Sequence, residues 1–171
     1  MSKLIYLILA VLGIHSVGFA AAPPKAVVYL FTVPDCPVAN AMMPEMVRVA
    51  EAFTVLGVAF HLVYVDGDTP LPQAKTHAAA YQWKWAVETD PKHVRVKALG
   101  ATRTPEVFVV RQDGSTAYHG RINDLYYAPG QRRRSPTQHD LKEALQAILA
   151  GRPIAKPHQP ATGCIIADFQ S

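Results

Sequence analysis

The sequence predicts an α/β domain of alternating strands and helices, and three observations carry that expectation. A continuous β-branched and aromatic run at 26–33 precedes a helical period over 37–56 and a second such run at 58–65, the βαβ order that sets two strands parallel. A third run over 106–111 turns back through Asp113-Gly114 into 115–121, which adds an antiparallel hairpin. Half of the 171 residues are apolar and 18% are charged, which excludes a disordered chain or a coiled coil. Fourteen prolines against ten glycines also speak against an all-helical bundle.

The segments follow in order. Lys3, the apolar run 4–12 and the small residues around 18–22 form a charged, then apolar, then small-residue pattern that predicts a cleaved signal peptide. Cleavage after Ala20 is expected, because cleavage after Ala22 would leave Pro23 directly beyond the scissile bond. The apolar stretch is shorter than the ~20 residues of a spanning helix, so an uncleaved anchor is the competing reading. This divides the chain into a signal peptide (1–20), a folded domain (21–151) and a proline-rich tail (152–171) carrying Cys164. It also predicts a periplasmic or secreted protein that meets the membrane only through its signal sequence. In such an oxidising compartment two cysteines acquire redox meaning.

The run 26–33 suits a strand buried on both faces. From Pro37, Met42, Met46, Val49 and Phe53 recur at helical spacing opposite Glu45, Arg48 and Glu51, and Gly57 ends the helix. The second strand, 58–65, closes in Asp66-Gly67-Asp68-Thr69-Pro70. An Ala-rich helix over 71–83, a short strand or extended piece at 85–88, and a helix over 91–99 stopped by Gly100 come next. Trp83 and Trp85 are expected to pack at a helix end. After the hairpin, a loop with Tyr126, Tyr127 and Arg132-Arg133-Arg134 leads to Thr137-Gln138-His139-Asp140, a variant capping box, and a last helix over 138–150. The tail has no period and reads as extended.

Chemistry centres on Cys36. It stands between the first strand and the first helix, with Pro37 in the favoured first helical position. Free N–H groups and the positive end of the helix dipole favour a thiolate there. A buried structural cysteine is the plain alternative. The dipeptide Thr104-Pro105, just before a strand, is where a cis peptide bond can set a backbone N–H and C=O beside the thiol.

The stretches 31–40 (FTVPDCPVAN), Pro44-Glu45, 100–109 (GATRTPEVFV), 118–124 (YHGRIND) and Gly163-Cys164-Ile165-Ile166 together resemble the thioredoxin superfamily, specifically exported redoxins of the alkyl hydroperoxide reductase and thiol-specific antioxidant (peroxiredoxin-like) family. The resemblance implies a thioredoxin-like fold with a central mixed sheet of four to five strands flanked by helices, Cys36 as the attacking thiol, Pro105 as the cis-proline and Pro44 as the proline of the active-site helix. It implies a disulfide or peroxide substrate, an external thiol reductant, and no cofactor.

Departures from the pattern shape the expectation. Ala39 stands where thioredoxins carry a second cysteine, and Val33 where peroxiredoxins carry a hydroxyl, with Thr32 one residue earlier. Pro105 falls near the position of their arginine, leaving Arg103 or Arg121 to reach in from adjacent loops. Thr32, Pro37, Asn40, Arg103 and Arg121 are thus the candidate supports, and disulfide exchange is favoured over peroxide reduction. Cys164, 128 residues beyond Cys36, is the internal partner, either resolving the reaction or stapling the tail. Closing that loop constrains the unfolded chain by about 4–5 kcal/mol in the entropy model.

Two other classes remain: a non-enzymatic binding module with a structural Cys36–Cys164 bond, and a copper chaperone using Met42, Met43 or Met46. Met42 and Met46 fall on the apolar stripe, and His61, His77, His93, His119, His139 and His158 show no ligand spacing, so no metal site is assigned. Arg132-Arg133-Arg134 reads as a solvated loop, with an acidic or phosphate partner as its alternative. A net charge of +4 does not call for nucleic acid.

Overall fold

A computed structural model describes residues 22–167. The expected signal peptide lies outside the described residues. Strand β1 (Ala26–Thr32) is central in a six-stranded sheet ordered β3 (Ala86–Thr89), β2 (Val58–Tyr64), β1, β5 (Glu106–Arg111), β6 (Thr116–Gly120) and β9 (His158–Gln159). It runs parallel to β2 (Val58–Tyr64), from Ala26 opposite Val58 to Thr32 opposite Tyr64. On its other side it is antiparallel to β5 (Glu106–Arg111), which turns into β6 (Thr116–Gly120). Strand β3 (Ala86–Thr89) extends the β2 edge in parallel.

Alternation along the strands builds two cores. Val28 and Leu30 of β1, Phe60 and Leu62 of β2, and Val107 and Val109 of β5 pack with α1 (Pro37–Thr54), α2 (Leu71–Ala80) and α4 (Asp140–Leu149). Phe31, Val63 and Phe108 pack with Val96 of α3 (Val94–Leu99) and with Ile166 of the tail. Each fully buried side chain of this size contributes about 1.5–3 kcal/mol. Met42, Met43 and Met46 are buried in the first core, as the apolar stripe predicted for Met42 and Met46.

The elements differ from expectation in five places. The sheet has six strands rather than four or five, because the tail supplies β9 (His158–Gln159), parallel to β6. The tail is likewise not merely extended, since β10 (Cys164–Ile165) pairs antiparallel with β4 (Arg103–Thr104). Two-residue strands carry no readable alternation, so they stay hidden in the sequence. The last helix starts at Asp140 with no side-chain cap. Thr137 instead donates its N–H and hydroxyl, both at 2.6 Å, to the buried carboxylate of Asp124. Helix α3 starts at Val94 rather than at 91, where the Asp90 carboxylate accepts the N–H groups of Val94, Arg95 and Val96 at 2.8–2.9 Å. Finally, the arginine loop is a hairpin of β7 (Tyr126–Ala128) and β8 (Gln131–Arg132), with Arg133 over the Tyr127 ring and paired with Asp124. Trp83 is buried and stacks edge-on with Trp85.

Among the described residues, no helix is long and apolar enough to cross a membrane.

Candidate active site

Cys36 is the N-cap of α1. Its backbone is extended (φ −89°, ψ 106°), Pro37 opens the helix behind it, and its sulfur accepts the Ala39 N–H at 3.4 Å. That is the position at which a helix presents unpaired donors to a negative charge. The preceding loop is fixed from within: Cys36 N–H donates to the Val33 carbonyl at 3.3 Å, and Asn40 Nδ2 donates to the Pro34 carbonyl at 2.6 Å. Asn40 therefore positions the loop. Pro44 sits inside the helix, as expected from the sequence.

The Thr104–Pro105 bond is cis, and the Cys36 thiol donates to the Thr104 carbonyl at 3.0 Å. Across β4, Cys164 lies directly opposite Thr104. The structure thus brings together Cys36, Cys164, Thr104 and Pro105, with both cysteines as free thiols. Cys36 has no exposed surface, whereas Cys164 is half-buried.

Their environments split the two thiols. Burial pushes the Cys36 thiol up, but the Cys164 thiol, the Thr104 hydroxyl and the N–H groups of Ala39 and Cys164 favour its thiolate and together leave it below the ordinary thiol value. The Thr104 hydroxyl is buried and free of any hydrogen-bond partner among the described residues, so it is available to a Cys36 thiolate. Cys164 goes the other way, to about 11, through burial and the neighbouring Cys36 sulfur. Of the two thiols, Cys36 is therefore the one that ionises first as pH rises, while Cys164 keeps its proton to higher pH.

The expected arginine support is not found at the thiol. Arg121 is committed to Asp140 (Nε to Oδ2, 2.7 Å) and to Gln138, and it lines a small cleft beside Pro105 with Val38 and Tyr126. Arg103 donates to the Gly163 carbonyl at 3.3 Å and so holds the tail. Thr32 ends β1 with a buried hydroxyl that has no partner among the described residues.

Glu106 escaped the sequence reading. Its buried carboxylate accepts Thr102 N–H at 2.8 Å and Arg103 N–H at 3.1 Å, clamping the loop that presents Thr104. A charged residue directly after Thr-Pro at the start of an otherwise apolar strand was the available signal. The structure also brings His119 and His158, 39 residues apart, to 3.2 Å between Nδ1 atoms. No cluster of three or more metal-ligating side chains occurs among the described residues.

Residues 12–129 match the Redoxin family. The chain belongs to that family. No curated protein matches it. Among solved structures, this redoxin is similar to a conserved protein of Geobacillus kaustophilus at 24% identity, TM-score 0.75, over 86% of this chain and 79% of that one. A hypothetical protein of Sinorhizobium meliloti matches at 23% identity and TM-score 0.76, over 86% and 81%. A secreted Mycobacterium tuberculosis disulfide oxidoreductase homologous to E. coli DsbE matches at 19% identity and TM-score 0.50, over 75% and 83%. These likenesses establish the thioredoxin-like fold.

Proposed function

We propose that this redoxin is an exported thiol–disulfide oxidoreductase in which Cys36 attacks and Cys164 resolves. The observation that carries the reading is the thiol at the N-cap of α1 facing Cys164 across Thr104. The Cys36 thiolate attacks one sulfur of a substrate disulfide, and the other substrate sulfur leaves as a thiolate. Cys164 then gives up its proton and attacks the Cys36 sulfur, which releases the second substrate thiolate. The substrate gains two electrons, the protein keeps a Cys36–Cys164 disulfide, and an external dithiol returns it to the reduced form. Export, with residues 1–20 as a leader, 21–151 as the redox domain and 152–171 as the tail, is supported by the sequence pattern. The secreted character of the Mycobacterium tuberculosis relative supports it as well.

Peroxide reduction is the weaker use of this site, because both nearby arginines are engaged elsewhere and position 33 is a valine. The copper-chaperone reading loses its ligands to the core, where Met42, Met43 and Met46 are buried.

Equilibration of the mature protein in glutathione and dithiothreitol buffers, read by intact mass, tests the proposal. A Cys36–Cys164 bond with a potential in the range of catalytic dithiols, about −120 to −270 mV, together with turnover of a disulfide substrate supports it. A potential below about −300 mV with no reactivity of the reduced protein toward disulfides overturns it in favour of a structural staple in a binding module. Turnover of peroxide faster than of disulfide would reassign the substrate.

A further inference from the structure

Cys36 is proposed to attack an external sulfur, yet it has no exposed surface. The tail is part of its cover, because Cys164 pairs opposite Thr104, whose carbonyl accepts the Cys36 thiol. We infer that the tail segment 158–166 is a removable cap on the reactive thiol, and that Gly120 and Gly163 are the positioning residues that let it dock with Cys164 opposite Thr104.

The docked tail touches the domain through backbone at two separate points, and each is a glycine. A Cβ on Gly163 would stand 2.1 Å from the Thr104 carbonyl oxygen and 3.1 Å from Pro105 Cδ. A Cβ on Gly120, which also has φ +127°, would stand 1.7 Å from the Gln159 carbonyl oxygen. The two carbonyl oxygens are main-chain atoms of the segments being joined, so no flexible side chain can swing aside to make room. Hydrogen bonds at each point complete the docking. Ile166 N–H donates to the Thr102 carbonyl at 3.0 Å, and Arg121 N–H donates to the Gln159 carbonyl at 3.0 Å.

The hold is also light. Both tail strands are two residues long, Ile165 is 74% exposed, and only Ile166 reaches toward the second core. A segment with few buried apolar contacts opens far more readily than the sheet beneath it. Opening uncovers Cys36 for an incoming sulfur, and closing returns Cys164 to the register in which it can attack. One docking event thus sets both the reach of Cys36 to substrate and the speed of the internal second step.

The inference rests on Cys36 being the attacking thiol, and its test is chosen to read separately from that assignment. Reduced full-length protein is alkylated with iodoacetamide, the site is located by peptide mass spectrometry, and the Cys36 rate is divided by the thiolate fraction from ultraviolet absorbance at each pH. Gly163→Ala should raise that normalised rate about tenfold or more, and should slow formation of the Cys36–Cys164 bond by oxidised dithiothreitol by a similar factor. Thermal unfolding of the core should stay cooperative. Ile166→Asp, which leaves β4 untouched, should move both rates in the same directions and covers the case in which Gly163→Ala fails to fold. Rates within twofold of wild type in the variants that fold, or a slower alkylation, would overturn the cap. Because iodoacetamide reacts with any ionised thiol, the experiment reads even if disulfide turnover is absent, which would overturn only the proposed function.

Discussion

Glu106 offers a measurable test of how the loop carrying Thr104 is held. Its carboxylate is buried, and one oxygen accepts two backbone N–H groups and, at 3.3 Å, the Thr102 hydroxyl. Glu106→Ala leaves both N–H groups without an acceptor. Bonds to a charged group are worth about 1.5–3 kcal/mol each, but Thr102 is exposed and water can replace part of its loss, so the net destabilisation should be about 3 kcal/mol. Glu106→Gln keeps an oxygen in place and loses only the charge, for about 1 kcal/mol. Urea unfolding at constant m reads both values. The same loop supplies the carbonyl and hydroxyl of Thr104, so Glu106→Ala should also raise the pH at which the Cys36 thiolate appears. Destabilisation by the alanine variant under about 0.5 kcal/mol, the range of an ordinary surface change, would refute the clamp. Equal losses in the two variants would refute the role of the retained oxygen.

Titrating the thiolate absorbance of reduced protein should show two separated steps, one below the ordinary thiol value from Cys36 and one near 11 from Cys164; a single step would refute the division of charge. Cys164→Ala removes a donor to Cys36 and should move the lower step upward. His119, depressed by burial and by its neighbour His158, resists protonation while β9 is docked, so docking is fully favoured above the ordinary histidine value of about 6.5 and weakens as pH falls through the lower folded value. Faster hydrogen exchange at the Arg121 amide below pH 6, after correction for intrinsic rates, would show this. The Asp124 carboxylate is pulled far below its usual range: burial opposes the shift, but bonds from Thr137 and Gln138 and the Arg133 charge outweigh it. Its stabilisation is present above about pH 4 and lost as pH falls further, so Asp124→Asn should flatten the acid limb of the stability curve.

The parts of the fold that read clearly from the chain are those whose information is local. The runs at β1 and β2, the period of α1 and the Asp113-Gly114 turn each declare themselves within a few residues, and Cys36-Pro37 declares the helix start on which its chemistry depends. What stayed hidden depends on partners far away in sequence. Thr137 looks like a cap until Asp124 competes for its donors. Arg121 looks free to reach the thiol until Asp140 takes its guanidinium. The pairing of Cys164 with Thr104 rests on two residues and two glycines, too little to leave a pattern in the sequence.

Strand β9 has a second consequence, for solubility. It runs along β6, the last long strand on that side of the sheet, and occupies backbone groups of His119 and Arg121 that would otherwise face water. When the tail lifts, that edge is bared at the moment two thiols become available to neighbours. An open molecule therefore presents both an adhesive rim and the means to cross-link it, the combination that turns strand pairing between copies into covalent aggregates. Brief opening, at low protein concentration, is the regime in which such a tail serves catalysis without that hazard.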